Sequence, residues 1–147
     1  MRLLLLSALL AGCAFAPSAD DSPLRVSATN GTASAAPVFS WTPTGATSLW
    51  VTDPDDRSVW GIEAGGRTTA GRYERVLLEA PVPYGAFPGG EDDGQPHTTT
   101  AAQPLRPGTT YTVHVTYLGG GSGGFTGRRP IVRQGSATFT VSSRIDP

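Results

Sequence analysis

From residue 24 onward, apolar and polar residues alternate in short runs, and turn-forming residues separate these runs about every ten positions. Alternation places successive side chains on opposite faces of an extended chain, and no stretch keeps the helical period for three turns. Many short strands at this spacing are typical of an all-β antiparallel sandwich. The pattern predicts strands at residues 24–28, 38–42, 48–52, 58–63, 75–78, 109–117 and 136–141.

The strand at 109–117 shows the alternation most clearly. Its valines and tyrosines share one face, and its threonines share the other face with His114. We therefore expect the first set to face a core and the second set to form a polar surface. Residues 81–104, rich in glycine and proline, predict a long connection, and residues 119–124 predict a flexible loop tip.

The N-terminal residues follow a different pattern. Arg2 precedes an apolar run at residues 3–10, and residues 10–13 read Leu-Ala-Gly-Cys. The run is far shorter than the roughly 20 apolar residues that span a bilayer, and a positive charge before such a run is typical of a secretory leader. The motif resembles the lipobox of bacterial lipoproteins. That resemblance implies cleavage between Gly12 and Cys13 and a diacylglycerol on the Cys13 thiol, usually with a further acyl chain on the new amino group.

The competing interpretation is an ordinary secretory leader cut after residues 14–16, which read Ala-Phe-Ala. The lipoprotein interpretation is favoured because all four motif positions fit and the chain has no second cysteine that would give the thiol another use. In diderm bacteria an Asp after the modified cysteine commonly retains a lipoprotein at the inner membrane, so Ala14 implies the outer membrane. We expect a protein held in the bacterial cell envelope by lipid.

These assignments divide the chain into four parts. Residues 1–12 are the signal peptide, and residues 13–23 form a tether whose small and acidic composition predicts no packed structure. The sandwich spans residues 24–143, and residues 144–147 form a C-terminal tail. Since the sole cysteine is expected to carry lipid, the sandwich has no disulfide, and a domain of this length can bury enough surface to fold by packing alone.

The charge balance excludes one class of partner. The chain has 11 basic and 12 acidic residues, and loss of Arg2 with the leader leaves a net charge near −2. A chain this close to neutral lacks the basic surface that binds nucleic acid. The expected partners are the membrane, through the lipid on Cys13, and an envelope protein or glycan.

Two segments resemble the fibronectin type III sandwich, which has an immunoglobulin-like fold. Residues 39–43 look like its second strand, whose tryptophan lies in the core and is here Trp41. Residues 105–115 look like the turn into its sixth strand. There Tyr111 would form a tyrosine corner, with its hydroxyl bonded to backbone a few residues upstream, and Leu105 would cap the core beneath it. The resemblance implies an antiparallel sandwich of about seven strands.

Few residues are candidates for metal binding or catalysis. Residues 53–56 read Asp-Pro-Asp-Asp, but a calcium site needs six or more oxygens and no glutamate follows at the required distance, so an acidic turn is favoured. The two histidines, His97 and His114, are too few for a zinc site. No nucleophile elbow or phosphate-binding loop occurs. We therefore expect no enzymatic activity, no metal and no cofactor.

Trp50 is one candidate for binding. It is out of phase with Leu49 and Val51, so either it or that pair must face solvent or a covering loop. An exposed tryptophan would stack on a sugar ring. Trp41 and Trp60 are better explained as core residues.

A second candidate lies in the loop before the last strand. Phe125, Arg128 and Arg129 place an aromatic ring and two guanidinium groups at a glycine-rich tip, where sandwich domains often make contacts; a plain solvated loop is the alternative. The leading hypothesis for function is a non-enzymatic, lipid-anchored module for interaction or structure. The alternatives are a carbohydrate-binding surface module and an accessory subunit of an envelope hydrolase.

Overall fold

The structure, a computed structural model, describes residues 24–31, 35–70, 72–86, 94–119 and 131–142. The signal peptide, Cys13 with its tether, the C-terminal tail and the loop containing Phe125, Arg128 and Arg129 lie outside these ranges, so the corresponding expectations stay predictions. The described residues contain no helix, and hence none that is long and apolar enough to cross a membrane.

Ten strands form among the described residues, and every pair of neighbouring strands is antiparallel. They are β1 (Arg25–Ala28), β2 (Val38–Thr42), β3 (Ser48–Thr52), β4 (Ser58–Glu63), β5 (Gly65–Thr69), β6 (Arg72–Val76), β7 (Val82–Pro83), β8 (His97–Thr100), β9 (Thr110–Gly119) and β10 (Ile131–Thr140). One sheet has the order β1-β2-β7 and another the order β10-β9-β3-β4-β8, while β5 and β6 form a separate hairpin. The prediction of an all-β antiparallel fold is confirmed.

The two larger sheets face each other across one hydrophobic core. Phe39 of β2 packs against Trp60 of β4 with ring centroids 6.1 Å apart, and against Phe139 of β10 with centroids 5.3 Å apart. Because β2 belongs to one sheet and β4 and β10 to the other, these rings join the two layers. Complete burial of a large apolar side chain contributes roughly 1.5–3 kcal/mol. One core built from two inner sheet faces is consistent with a β-sandwich.

The strand predictions agree best with the structure between residues 38 and 63. The predicted strands at 38–42, 48–52 and 58–63 coincide with β2, β3 and β4. β10 already begins at Ile131, whereas the predicted strand begins at residue 136. Its first half lacks a clear alternation in sequence and is defined by its pairing with β9.

The prediction differs from the structure between residues 64 and 104. β6 is shifted from the predicted 75–78 and pairs with β5, which was not predicted, and the long connection at 81–104 contains β7 and β8. The described chain therefore has ten strands where about seven were expected. β5 and β8 consist of glycine, arginine, threonine and histidine, so they have no apolar side chains to alternate. β7 has only two residues.

Tyr84 fastens this long connection to β4. Its hydroxyl donates to the Gln103 carbonyl oxygen at 2.8 Å and lies 3.1 Å from the carbonyl oxygen of Val59. The Gln103 N–H also donates to the Val59 carbonyl oxygen, at 3.0 Å. Burial raises the pKa of Tyr84 to about 12, so the hydroxyl stays protonated as a donor. These bonds hold residues 103–109 at the end of the sandwich where β3 turns into β4.

Candidate functional site

The three residues that the sequence assigned to the fold lie in or against the core. Trp41 and Tyr111 are each 3% exposed, and Leu105 is partly buried against the core. The Tyr111 hydroxyl accepts a hydrogen bond from the backbone N–H of Arg106 at 2.8 Å, five residues upstream. This is the geometry expected of a tyrosine corner.

The acidic residues after β3 form a tight turn. The Asp53 carboxylate accepts the backbone N–H groups of Asp55 and Arg57, each at 2.9 Å. Asp56 adopts a left-handed backbone conformation with φ of 59°, and its N–H donates to the Asp53 carbonyl oxygen at 3.0 Å. Asp53 therefore serves the turn itself. Within the described ranges, no three His, Cys, Asp or Glu side chains are grouped so that they could hold a metal ion.

A groove of about 630 Å³ lies between this turn and residues 103–107. Val59, Leu105 and Tyr111 contribute its apolar lining. The Asp53 carboxylate and the Tyr111 hydroxyl, which also line it, are already bonded to backbone N–H groups. The groove therefore lies between two loops that these hydrogen bonds hold in place.

The outer face of the five-stranded sheet has a different character. On β3, Leu49 and Val51 are buried at 1% and 0% exposure, and Trp50, which is half-buried, lies on the opposite face. Of the two alternatives left open by the sequence, the structure therefore shows Leu49 and Val51 facing the core and Trp50 facing outward. Its neighbours on that face carry hydroxyl, amide or imidazole groups. They are Ser48, Thr52, Thr112, His114, Thr116, Gln134, Ser136 and Thr138.

Trp50 is stacked on His114 of β9. The two rings are directly opposite in the β3–β9 register, with centroids 5.1 Å apart and planes within 10° of parallel. His114 Nε2 lies 3.3 Å from the Thr52 hydroxyl, which orients the imidazole. Burial lowers the pKa of His114 below its ordinary value, and the Asp56 carboxylate opposes this shift. The imidazole is therefore neutral at neutral pH and keeps one donor and one acceptor nitrogen.

The other cross-strand neighbour of Trp50 is Gly61 of β4. Because Gly61 has no side chain, Thr99 and Thr100 occupy the space beside it: a Cβ at this position would lie 2.8 Å from the Thr99 hydroxyl and 3.5 Å from the Thr100 hydroxyl. On the β9 side, a groove of about 210 Å³ extends from the stacked rings towards β10. Its lining residues are Trp50, His114, Val115, Gln134, Gly135 and Ser136.

A second groove, of about 370 Å³, lies further along the same strands. Its lining residues are Thr47, Ser48, Glu63, Ala64, Arg75, Thr116 and Leu118. Ser48 precedes Trp50 by two positions, which is about 6.6 Å along a strand, so the two grooves adjoin. Arg75 of β6 reaches this sheet and donates from Nη1 to the Leu118 carbonyl oxygen at 2.9 Å. The β5–β6 hairpin therefore supplies one wall.

We call the stacked pair and the two grooves the outer-face site, defined by Ser48, Trp50, Glu63, Arg75, His114, Gln134 and Ser136. The sequence identified Trp50 and placed His114 on the polar face of its strand, but it did not bring the two together. Their contact depends on the register between β3 and β9, which alternation within a single strand does not reveal. Arg75 was missed because the hairpin that positions it was not predicted.

The outer-face site offers ring stacking, hydroxyl and amide hydrogen bonds, one carboxylate and one guanidinium group, which is chemistry suited to binding. Comparison of the chain with protein-family models, with curated proteins and with solved structures finds no match in any of the three.

Proposed function

We propose that this protein is a non-enzymatic, lipid-anchored component of the bacterial cell envelope that displays a fibronectin type III-like sandwich as an interaction module. The outer-face site is its binding surface. The anchor is the lipid on Cys13, attached after cleavage at Gly12, and the outer membrane is its location because Ala14 follows the lipidated cysteine.

The strand arrangement supports the fibronectin type III-like assignment. In immunoglobulin-like sandwiches the first, second and fifth strands share one sheet, and the third, sixth and seventh share the other. Here β1, β2 and β7 lie together, and β3, β9 and β10 lie together. The hydroxyl of Tyr111, bonded to backbone at the start of β9, occupies the matching corner. In this proposal the β5–β6 hairpin and β8 are additions to that framework.

The observation that carries the binding role is the Trp50–His114 stack outside the core. The core between the sheets already contains Trp41 and Trp60, which are 3% and 1% exposed. Trp50 instead is half-buried on a polar face, where part of its ring still contacts solvent. Tryptophan is among the residues most enriched where binding energy concentrates. An aromatic pair beside two grooves is thus better explained by a partner than by the fold.

Site-specific photo-crosslinking in the native envelope tests this function. A photoreactive residue at Gln134, on the outer face, should capture an envelope component. The same residue at Thr42, exposed on β2 of the opposite sheet, is the matched control and should not capture it. Equal capture from both positions, or none from either, contradicts the proposal. Mass spectrometry of the mature N-terminus tests the anchor, because an unmodified peptide beginning at Pro17 contradicts lipidation.

A further inference from the structure

The groups around Trp50 indicate the chemistry of the partner. Its neighbours across and along the strands are the side chains of Thr52, His114, Gln134 and Ser136, all able to form hydrogen bonds. Protein–protein interfaces bury a centre that is more apolar than the surrounding surface. Here, among the described residues of this face, the apolar centre is a single aromatic ring without an aliphatic side chain beside it, and its neighbours are hydrogen-bonding groups. The exposed aliphatic side chains of this face, Leu118 and Val132, are paired two rows from the stacked rings, and Leu118 lines the second groove.

One aromatic ring within a set of hydroxyl, amide and imidazole groups matches a particular ligand. A pyranose ring has an apolar C–H face that can lie against an aromatic ring, and hydroxyls around its edge that need donors and acceptors. We propose that the outer-face site binds a neutral glycan chain, with Trp50 as the stacking platform and Gln134 and Ser136 as hydrogen-bonding partners. This inference rests on the proposed function and names the ligand class of the same surface.

The two grooves indicate a chain rather than a single sugar. They lie in neighbouring rows across the sheet: Ser136, His114 and Trp50 form one row, and the next row runs from Gln134 through Ser48 to Glu63. A ligand with several linked rings would place one ring at Trp50 and the next near Ser48. Glu63 would accept and Arg75 would donate hydrogen bonds to its hydroxyls. Affinity should therefore rise with the number of sugar units.

His114 holds the Trp50 indole in position by stacking on it. By stacking on Trp50 at 5.1 Å and lying 3.3 Å from the Thr52 hydroxyl, the imidazole fixes the orientation of the indole before any ligand arrives. A ring held in its binding orientation loses less conformational freedom when the ligand binds. His114 is thus a positioning residue as well as part of the groove wall.

Titration with defined oligosaccharides tests this inference on the full lipidated chain, kept in a detergent without a sugar headgroup. Maltohexaose, cellohexaose and chitohexaose are the probes, each beside its monosaccharide, with tryptophan fluorescence and calorimetry as readouts. Because Trp41 and Trp60 are buried, a fluorescence change reports on Trp50. We expect at least one hexasaccharide to bind and to bind more tightly than its monosaccharide.

Three variants locate the site. Trp50→Ala should weaken binding about tenfold or more through loss of stacking, and Gln134→Ala by a smaller factor. Thr140→Ala, on the same face but two rows away from the stacked rings, is the matched control and should bind like the wild type. Binding that survives Trp50→Ala overturns the inference, as does the absence of binding to all three hexasaccharides. If Gln134 still crosslinks an envelope protein in that case, the proposed function stands and only the glycan assignment fails.

Discussion

The hydroxyls of Tyr84 and Tyr111 both bind the backbone of residues 103–106. Tyr84 donates to the Gln103 carbonyl oxygen, and Tyr111 accepts from the Arg106 N–H. Between these two points the chain turns from the β8 edge of the five-stranded sheet into β9. Since the stretch has no strand pairing of its own, these side chains replace the hydrogen bonds that a ladder would provide.

Tyr111→Phe removes one of these bonds while retaining the buried ring. We expect the free energy of unfolding to fall by about 0.5–1.5 kcal/mol, the usual net contribution of one hydrogen bond. Urea denaturation measures the change. Tyr117→Phe is the control, because no hydrogen bond to the Tyr117 hydroxyl is found among the described residues. An unchanged stability for Tyr111→Phe would mean that the corner bond contributes nothing.

His114 makes stability depend on pH. Its pKa is lowered in the folded protein, mainly by burial, so below about pH 6.5 the unfolded chain binds a proton that the folded chain does not. The free energy of unfolding should therefore fall as the pH drops below that value. Asp56 reduces the effect because its carboxylate favours the charged imidazole.

Urea titrations at about pH 7.5 and about pH 5.5 measure this dependence. His114→Gln should remove the part of the stability loss that comes from this imidazole. Thr138→Ala, an exposed and uncharged position on the same sheet face, should leave the loss as it is in the wild type. The assignment fails if His114→Gln and the wild type lose stability equally.

At the scale of strands, the sequence was informative where side chains are sorted between two environments. β2, β3 and β4 each contain a short apolar set that lies against the core and is bounded by turn-forming residues, and their bounds were predicted correctly. β5 and β8 bury no apolar face, so no pattern marks them. The outer-face site was predictable only in part for the same reason, since Trp50 is visible within one strand whereas its contact with His114 arises from pairing.

Gly135 shows how close two strands come where the sheets meet. A Cβ there would collide with the Leu24 carbonyl group and lie 2.8 Å from a methyl of Val26, so β1 packs directly over the backbone of β10. Gly135→Ala should force β1 away and cost about 1–3 kcal/mol of unfolding free energy. Thr138→Ala, three positions further on β10 and exposed, should cost less than about 1 kcal/mol. Equal costs would contradict the close packing of β1.

At the scale of the molecule, the proposed anchor and the proposed binding surface belong to different sheets. The chain enters the described structure at Leu24 and continues into β1 of the three-stranded sheet. The outer-face site lies on the five-stranded sheet, on the side turned away from the shared core. A tether joined to β1 therefore leaves the sheet with Trp50 open to a partner. In the proposed function, the three-stranded sheet would connect the protein to the envelope and the five-stranded sheet would present the binding surface.

This division predicts that binding and folding can be separated. Trp60→Ala empties a core position that is 1% exposed and should cost about 3–5 kcal/mol of unfolding free energy. Trp50→Ala removes a half-buried ring stacked on His114 and should cost less than Trp60→Ala, because part of the Trp50 indole contacts solvent in the folded protein. Urea denaturation of both variants compares the two tryptophans directly. If Trp50→Ala is as destabilising as Trp60→Ala, Trp50 is a structural residue, and this contradicts a binding role for the outer face. If its cost is smaller, the variant is a stable protein in which only binding is impaired.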